Sequence, residues 1–88
     1  MHAIVFQVDF KPEWQGDPDA ELDALVGFVK AVPGFVRGTW TTDGSRGLSF
    51  IVFDSQGAAR AFAANAAVPP DAGVTLRSVD VYEVVRDV

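Results

Sequence analysis

The stretch FVRGTWTTDGSRGLSFIVF, residues 35–53, decides the fold. Its first eight residues, Phe35 to Thr42, are mostly aromatic or β-branched, which suits a pleated, half-buried strand. Asp43-Gly44-Ser45-Arg46-Gly47 then supplies turn chemistry and leads directly into Leu48 to Phe53, so the stretch predicts a hairpin. Leu48, Phe50 and Val52 fall on one face of the second strand, Ile51 and Phe53 on the other. A strand that is apolar on both faces needs cover on both sides, which places it inside a sheet.

Working outward, a helix signal flanks the hairpin on each side. Upstream, Asp17 is a capping residue, Pro18 suits the first helical position, and Asp19 and Glu21 place carboxylates where the helix dipole favours them. Leu22, Leu25, Val26, Val29 and Val32 recur at helical spacing as one buried stripe, and Pro33-Gly34 stops the helix. Downstream, Ser55 caps a second helix with an inward stripe of Ala59, Phe62, Ala63 and Ala66, ended by Val68-Pro69-Pro70. The outer strands are Ala3 to Phe10, where Ile4, Phe6, Val8 and Phe10 alternate with a mixed face, and the β-branched run Val74 to Val85. The order is therefore βαββαβ in a single domain over residues 1–88: an α+β, ferredoxin-like, four-stranded antiparallel sheet with two helices on one face.

That geometry leaves work undone. Four strands span about 19 Å, and two helices of about 10 Å diameter tile that width once. Strands of six residues leave about 400 Å² of the other face open, near the upper range for a soluble monomer. Val5, one face of the third strand and part of the fourth are apolar there, so sheet-to-sheet homodimerisation is the economical cover. Ile51 and Val81 are the positions where an introduced Asp should break the dimer or unfold the chain.

Composition narrows the function classes. Half the chain is hydrophobic (49%), with seven Phe and two Trp, enough apolar material for a core. There is no cysteine, which excludes disulfide staples and thiolate metal sites. A net charge of -5 argues against binding nucleic acid. The N-terminal run Met1 to Phe6 lacks a basic region and is interrupted by Gln7 and Asp9 far short of a membrane span, so a cytoplasmic protein with no membrane partner is expected. Asp17, Asp19, Glu21 and Asp23 have the spacing of a helix N-terminus and not of an oxygen-ligand loop, and no glycine-rich phosphate cradle is present. The expectation is no metal and no cofactor.

Taken in order, the first strand ending in Phe10-Lys11-Pro12, Pro33-Gly34-Phe35, Phe53-Asp54-Ser55 with Ala58-Ala59 and Phe62, and Val81-Tyr82-Glu83-Val84-Val85 make the chain resemble the dimeric α+β barrel superfamily, in its antibiotic biosynthesis monooxygenase-like branch. The resemblance covers nearly the whole chain. It implies a homodimer whose sheets face each other, with any ligand pocket between sheet and helices. Such a fold hosts many functions. Haem-degrading relatives use an Asn on the first strand, a Trp on the second helix and a following His; here those positions fall at Phe6, Phe62 and residues 68–70, so the resemblance argues against haem degradation.

Candidate residues each have a plain alternative. Phe6, Trp40 and Phe62 would hold a small, largely apolar aromatic ligand between sheet and helices, or simply pack. Asn65, near Phe62, would orient a carbonyl or dioxygen, or lie on the exposed helix face. His2, the only histidine, is a surface residue or a base without sequence neighbours to tune it. Arg37, opposite Trp40 by alternation, would pair across the dimer. The loop Glu13-Trp14-Gln15 rims a pocket or folds Trp14 over the core. Catalytic residues stay unassigned. Two readings of different class follow: a cofactor-independent monooxygenase-like enzyme or binder acting on a small aromatic molecule, whose electron-rich substrate supplies electrons to dioxygen, or a non-catalytic homodimeric binding or accessory domain.

Overall fold

Asp17 and Ser55 cap the two helices as their positions demand. Asp17 Oδ1 accepts the N–H groups of Asp19 and Ala20 at 3.0 and 3.3 Å, and Ser55 Oγ accepts that of Ala58 at 3.1 Å. In the computed structural model, which describes all 88 residues, the elements are β1 (His2–Phe10), α1 (Pro18–Lys30), β2 (Phe35–Thr42), β3 (Arg46–Phe53), α2 (Gln56–Ala64) and β4 (Val74–Glu83). The sheet order is β2-β3-β1-β4 with every neighbouring pair antiparallel, a ferredoxin-like α+β fold. β3 lies inside the sheet, as its two apolar faces require. No helix is long and apolar enough to cross a membrane.

The pairing register assigns the two faces. Phe53 and Phe35 lie in one row, Ile51 and Ile4 with Val81 in the next inward-facing row, and Trp40, Ser49, Phe6 and Val79 in the third. Ile4, Ile51 and Phe53 bury completely or nearly so against Val29 of α1 and Ala59 of α2, so these rows face the helices. Ile51 and Val81 therefore belong to the core, not to a dimer seam. The open face carries Val5, Leu48, Phe50, Val52, Asp80 and Tyr82 instead.

Two departures concern that open face. β4 ends at Glu83, not Val85, and the tail leaves it: the Val84 N–H donates to the Met1 carbonyl at 3.0 Å. Three residues later both carboxylate oxygens of Asp87 accept from Arg37 on β2, at 2.8 and 2.5 Å. Because β4 and β2 are opposite edges, the tail spans the sheet, and Val52 and Ala3 beneath it are buried. Arg37 thus pairs within its own chain, and one end of the open face is covered by the tail.

The loop after β1 clasps the loop before β4. Trp14 Nε1 donates to the Asp71 carbonyl at 2.9 Å, Lys11 Nζ to that of Pro70 at 2.7 Å, and the Glu21 carboxylate accepts the Gly73 N–H at 3.0 Å. The Trp14 ring lies so close over Gly73 that an added Cβ would sit 2.6 Å from Cε3. Gly73→Ala is expected to cost about 1–3 kcal/mol by overpacking against a ring that its own hydrogen bond holds, measured by chemical denaturation. An unchanged midpoint would mean that Trp14 is free to swing away.

Candidate functional site

The backbone of α2 lies close over β1, β3 and β4, whereas that of α1 comes close only to β2 and reaches the core through the Val29 side chain. The helices are bridged by aromatic side chains. Phe62 of α2 is the hub: its ring centroid lies 6.0 Å from Phe6 in an edge-on contact, 5.4 Å from Phe53 and 6.4 Å from Phe28 of α1. Such pairs favour edge-on and tilted geometry because ring edges are positive and faces negative.

The stripe expected on α1 is only partly buried. Val29 is fully enclosed, but Leu22 and Leu25, which share its helical face, are 41% and 45% exposed, and Phe28 is 66% exposed. The cause is attachment at both ends. Glu21 ties the first turn of α1 to Gly73 and Val29 seats the last turn, and between them Leu22 and Leu25 stay exposed. Leu22, Leu25 and Phe28 are thereby left as an exposed apolar strip on α1.

Beside the aromatic cluster, the helix-facing side of the sheet carries the row Trp40, Ser49, Phe6. Trp40 folds back over Gly38, where a Cβ would meet its ring at 2.7 Å, and packs against the core. Between the two aromatic residues stands Ser49, a small side chain whose hydroxyl has no hydrogen-bond partner within the chain. The structure thus brings together three of the four residues singled out from sequence, Phe6, Trp40 and Phe62, on one side of the sheet. Asn65 lies elsewhere in role: it is the C-cap of α2, exposed, and its Nδ2 donates to the Ala61 carbonyl at 2.8 Å.

Ser49, Leu25 and Phe28 were not foreseen as a group. Ser49 did leave a signal, being the one small hydroxyl residue among the inward positions of β3. The exposure of Leu25 and Phe28 left none, because it follows from how α1 is tethered.

His2 and the acidic start of α1 lie away from the Trp40-Ser49-Phe6 row. His2 shares the helix-facing side, in the row of Phe53 and Glu83, with Nδ1 buried and unpartnered. It lies four residues along β1 from Phe6, about 13 Å at strand rise. Asp17 and Glu21 are engaged as backbone acceptors, which explains the acidic start of α1 without a metal.

No protein-family profile and no curated protein sequence matches the chain. Solved structures do. The chain is similar to the haem-degrader MhuD of Mycobacterium tuberculosis with two haems bound in its active site, at 20% identity and a TM-score of 0.71, covering 100% of this chain and 99% of that one. It is equally similar to an arginine-to-serine mutant of MhuD with two manganese protoporphyrin IX molecules bound per active site, at 20% identity and a TM-score of 0.70, over 100% and 98% of the two chains. At this identity the likeness establishes the fold, which is that expected from the resemblance to the dimeric α+β barrels.

Proposed function

We propose that the cleft between α1, α2 and the sheet binds a small, flat, largely apolar aromatic molecule, gripped by Phe6, Trp40 and Phe62. One observation carries this reading: α1 leaves Leu22, Leu25 and Phe28 exposed beside the aromatic cluster of Phe6, Phe28 and Phe62. An apolar pocket with one placed polar group is the common form of a small-molecule site, and Ser49 supplies the polar group. Asn65, at the α2 terminus, would contribute from the rim once its cap bond to Ala61 is exchanged for a ligand oxygen. Structural neighbours that hold porphyrins, which are flat and apolar, support the shape of ligand inferred.

As an enzyme, the protein would be a cofactor-independent monooxygenase-like catalyst in which the bound aromatic substrate reduces dioxygen. The cleft's part would be desolvation and orientation by the rings. Haem degradation by the route of the family's haem-degrading members is disfavoured, because Phe6 and Phe62 stand where those use Asn and Trp. The second reading, a non-catalytic binding domain, is favoured by one specific feature: the row Trp40, Ser49, Phe6 offers no acid or base, and His2 lies four residues along β1 from Phe6.

A homodimer seated on the open face belongs to either reading. Phe50 and Tyr82 are exposed there, away from the hairpin end, and a second copy is the partner whose matching face would cover them.

The test is thermal shift and intrinsic tryptophan fluorescence with anthrone, a naphthol and protoporphyrin IX. A binder should raise Tm and quench Trp40, with the response reduced at least tenfold in Trp40→Ala while Trp14 is untouched. Equal response in wild type and Trp40→Ala would place the ligand outside the cleft.

A further inference from the structure

A second concavity, of about 340 Å³, lies at the hairpin end of the sheet and is lined by Gln7, Thr41, Asp43, Arg46, Leu48 and Arg77 among others. Gln7, Leu48, Thr41 and Arg46 belong to the open face, the side away from Phe6 and Trp40, while Val8, Gly47 and Thr42, one row on, complete the lining at the hairpin end. Gln7 and Leu48 pair with each other, as do Asp9 and Arg46.

Arg77 reaches this face through an irregularity in the ladder. Gln7 pairs with Ser78 but Val8 pairs with Leu76, so Arg77 is an extra residue opposite no partner. A bulge of this kind re-aims a side chain. Here it keeps Leu76 in register with Val8 while delivering a guanidinium to the same concavity as Arg46.

Neither guanidinium is spent on the acids nearby. Arg77 touches Asp9 only through Nε, at 3.5 Å, and Arg46 touches Asp43 only through Nε, at 3.7 Å. Asp43 is committed to its own turn: Oδ1 accepts the N–H of Ser45 at 2.9 Å and of Arg46 at 2.7 Å, which holds the carboxyl below its usual value. The terminal nitrogens of Arg46 and Arg77 and the amide of Gln7 donate to nothing within the chain, whereas Arg37 is engaged by both oxygens of Asp87. The hydroxyls of Thr41 and Thr42 already donate to the Leu48 and Arg46 carbonyls, at 2.7 and 3.1 Å. Two of the seven cationic side chains of an acidic protein thus converge, with unused donors, on one concavity.

We propose that this concavity is a binding site for an oxyanion, a carboxylate or phosphate group on a small molecule, held between Arg46 and Arg77 with Gln7 as a third donor. Guanidinium is the side chain suited to such groups, because its planar fork gives two parallel charge-assisted hydrogen bonds. At about 30 Å³ per water, the concavity has room for the oxyanion together with part of the molecule that carries it. The site is separate from the aromatic cleft, on the opposite face of the sheet.

The test is an amide-resolved NMR titration with inorganic phosphate and, separately, with succinate, at ionic strength held constant with sodium chloride. Expected are saturable shifts at Gln7, Thr41, Leu48 and Ser78 with at least one of the two probes, weakened tenfold or more in the Arg46→Gln/Arg77→Gln double variant while Tm is retained. Which probe saturates identifies the oxyanion. No saturable shift with either, shifts that chloride reproduces, or equal affinity in the double variant would overturn the proposal. Should the double variant not fold, Arg77→Gln alone carries the comparison, since the bulge backbone keeps its ladder without the guanidinium. Failure of aromatic ligands to bind the cleft would leave this result unaffected, because the reporting residues face the other way.

Discussion

Phe53→Ala is expected to lower stability by about 3–5 kcal/mol, a large share of what a domain of this size possesses. Phe53 is fully buried and touches both Phe35 and Phe62, so its loss leaves a cavity with rigid walls on several sides. Phe62→Ala should cost clearly less, about 1–3 kcal/mol, although Phe62 meets three aromatic rings. It is only half-buried, beside Phe6 and the exposed Phe28. Urea denaturation of both variants measures the difference. The Phe62→Ala protein should also lose the Tm rise produced by aromatic ligands. A cost equal to that of Phe53→Ala, with ligand response intact, would make Phe62 a core residue and nothing more.

Phe50→Asp is expected to convert a dimer to a folded monomer. Wild-type protein should scatter light as twice 9.4 kDa and the variant as 9.4 kDa. Phe50 lies mid-strand on the open face, pairs with Val5 and Thr39, and is 38% exposed in a single chain. An unpaired carboxylate buried between two sheets costs several kcal/mol, which is a weakening of two or more orders of magnitude in dimer affinity. The single chain does not bury that position, so its fold should survive. Ile51→Asp, one residue on, should unfold the chain, because Ile51 lies under the helices. A wild-type monomer at micromolar concentration, or a Phe50→Asp protein that stays dimeric, would remove the open face as the seam.

The contrast between Phe50 and Ile51 shows how far the sequence could be read. Alternation separated the two faces of β3 correctly, but the residues alone do not say which face meets the helices. Phe53 decides it: its packing against Val29 and Ala59 sends Ile51 inward with it. Caps and turns were legible because Asp17, Ser55 and the Asp43-Gly44 turn act on backbone within a few residues. The exposure of Leu22 and Leu25 was not, since it depends on how α1 docks, with Glu21 finding Gly73 across 52 residues of chain. Nor was the bulge that carries Arg77, because it is a property of the pairing of β4 with β1. For the site, Phe6, Trp40 and Phe62 were recoverable as aromatic residues at inward positions. Asn65 looked the same in sequence as any polar residue beside Phe62, and only the helix end reveals its bond to Ala61.

The claim on which the functional reading rests is that the cleft above the Trp40-Ser49-Phe6 row receives an aromatic molecule. Intermolecular nuclear Overhauser effects between bound anthrone and the protein test it most directly. Contacts from the ligand to the ring protons of Phe6, Phe28, Trp40 and Phe62 and to the Leu25 methyls are the predicted result. Contacts confined to Val5, Phe50 and Tyr82 on the open face, or no contacts at saturating ligand, would contradict it.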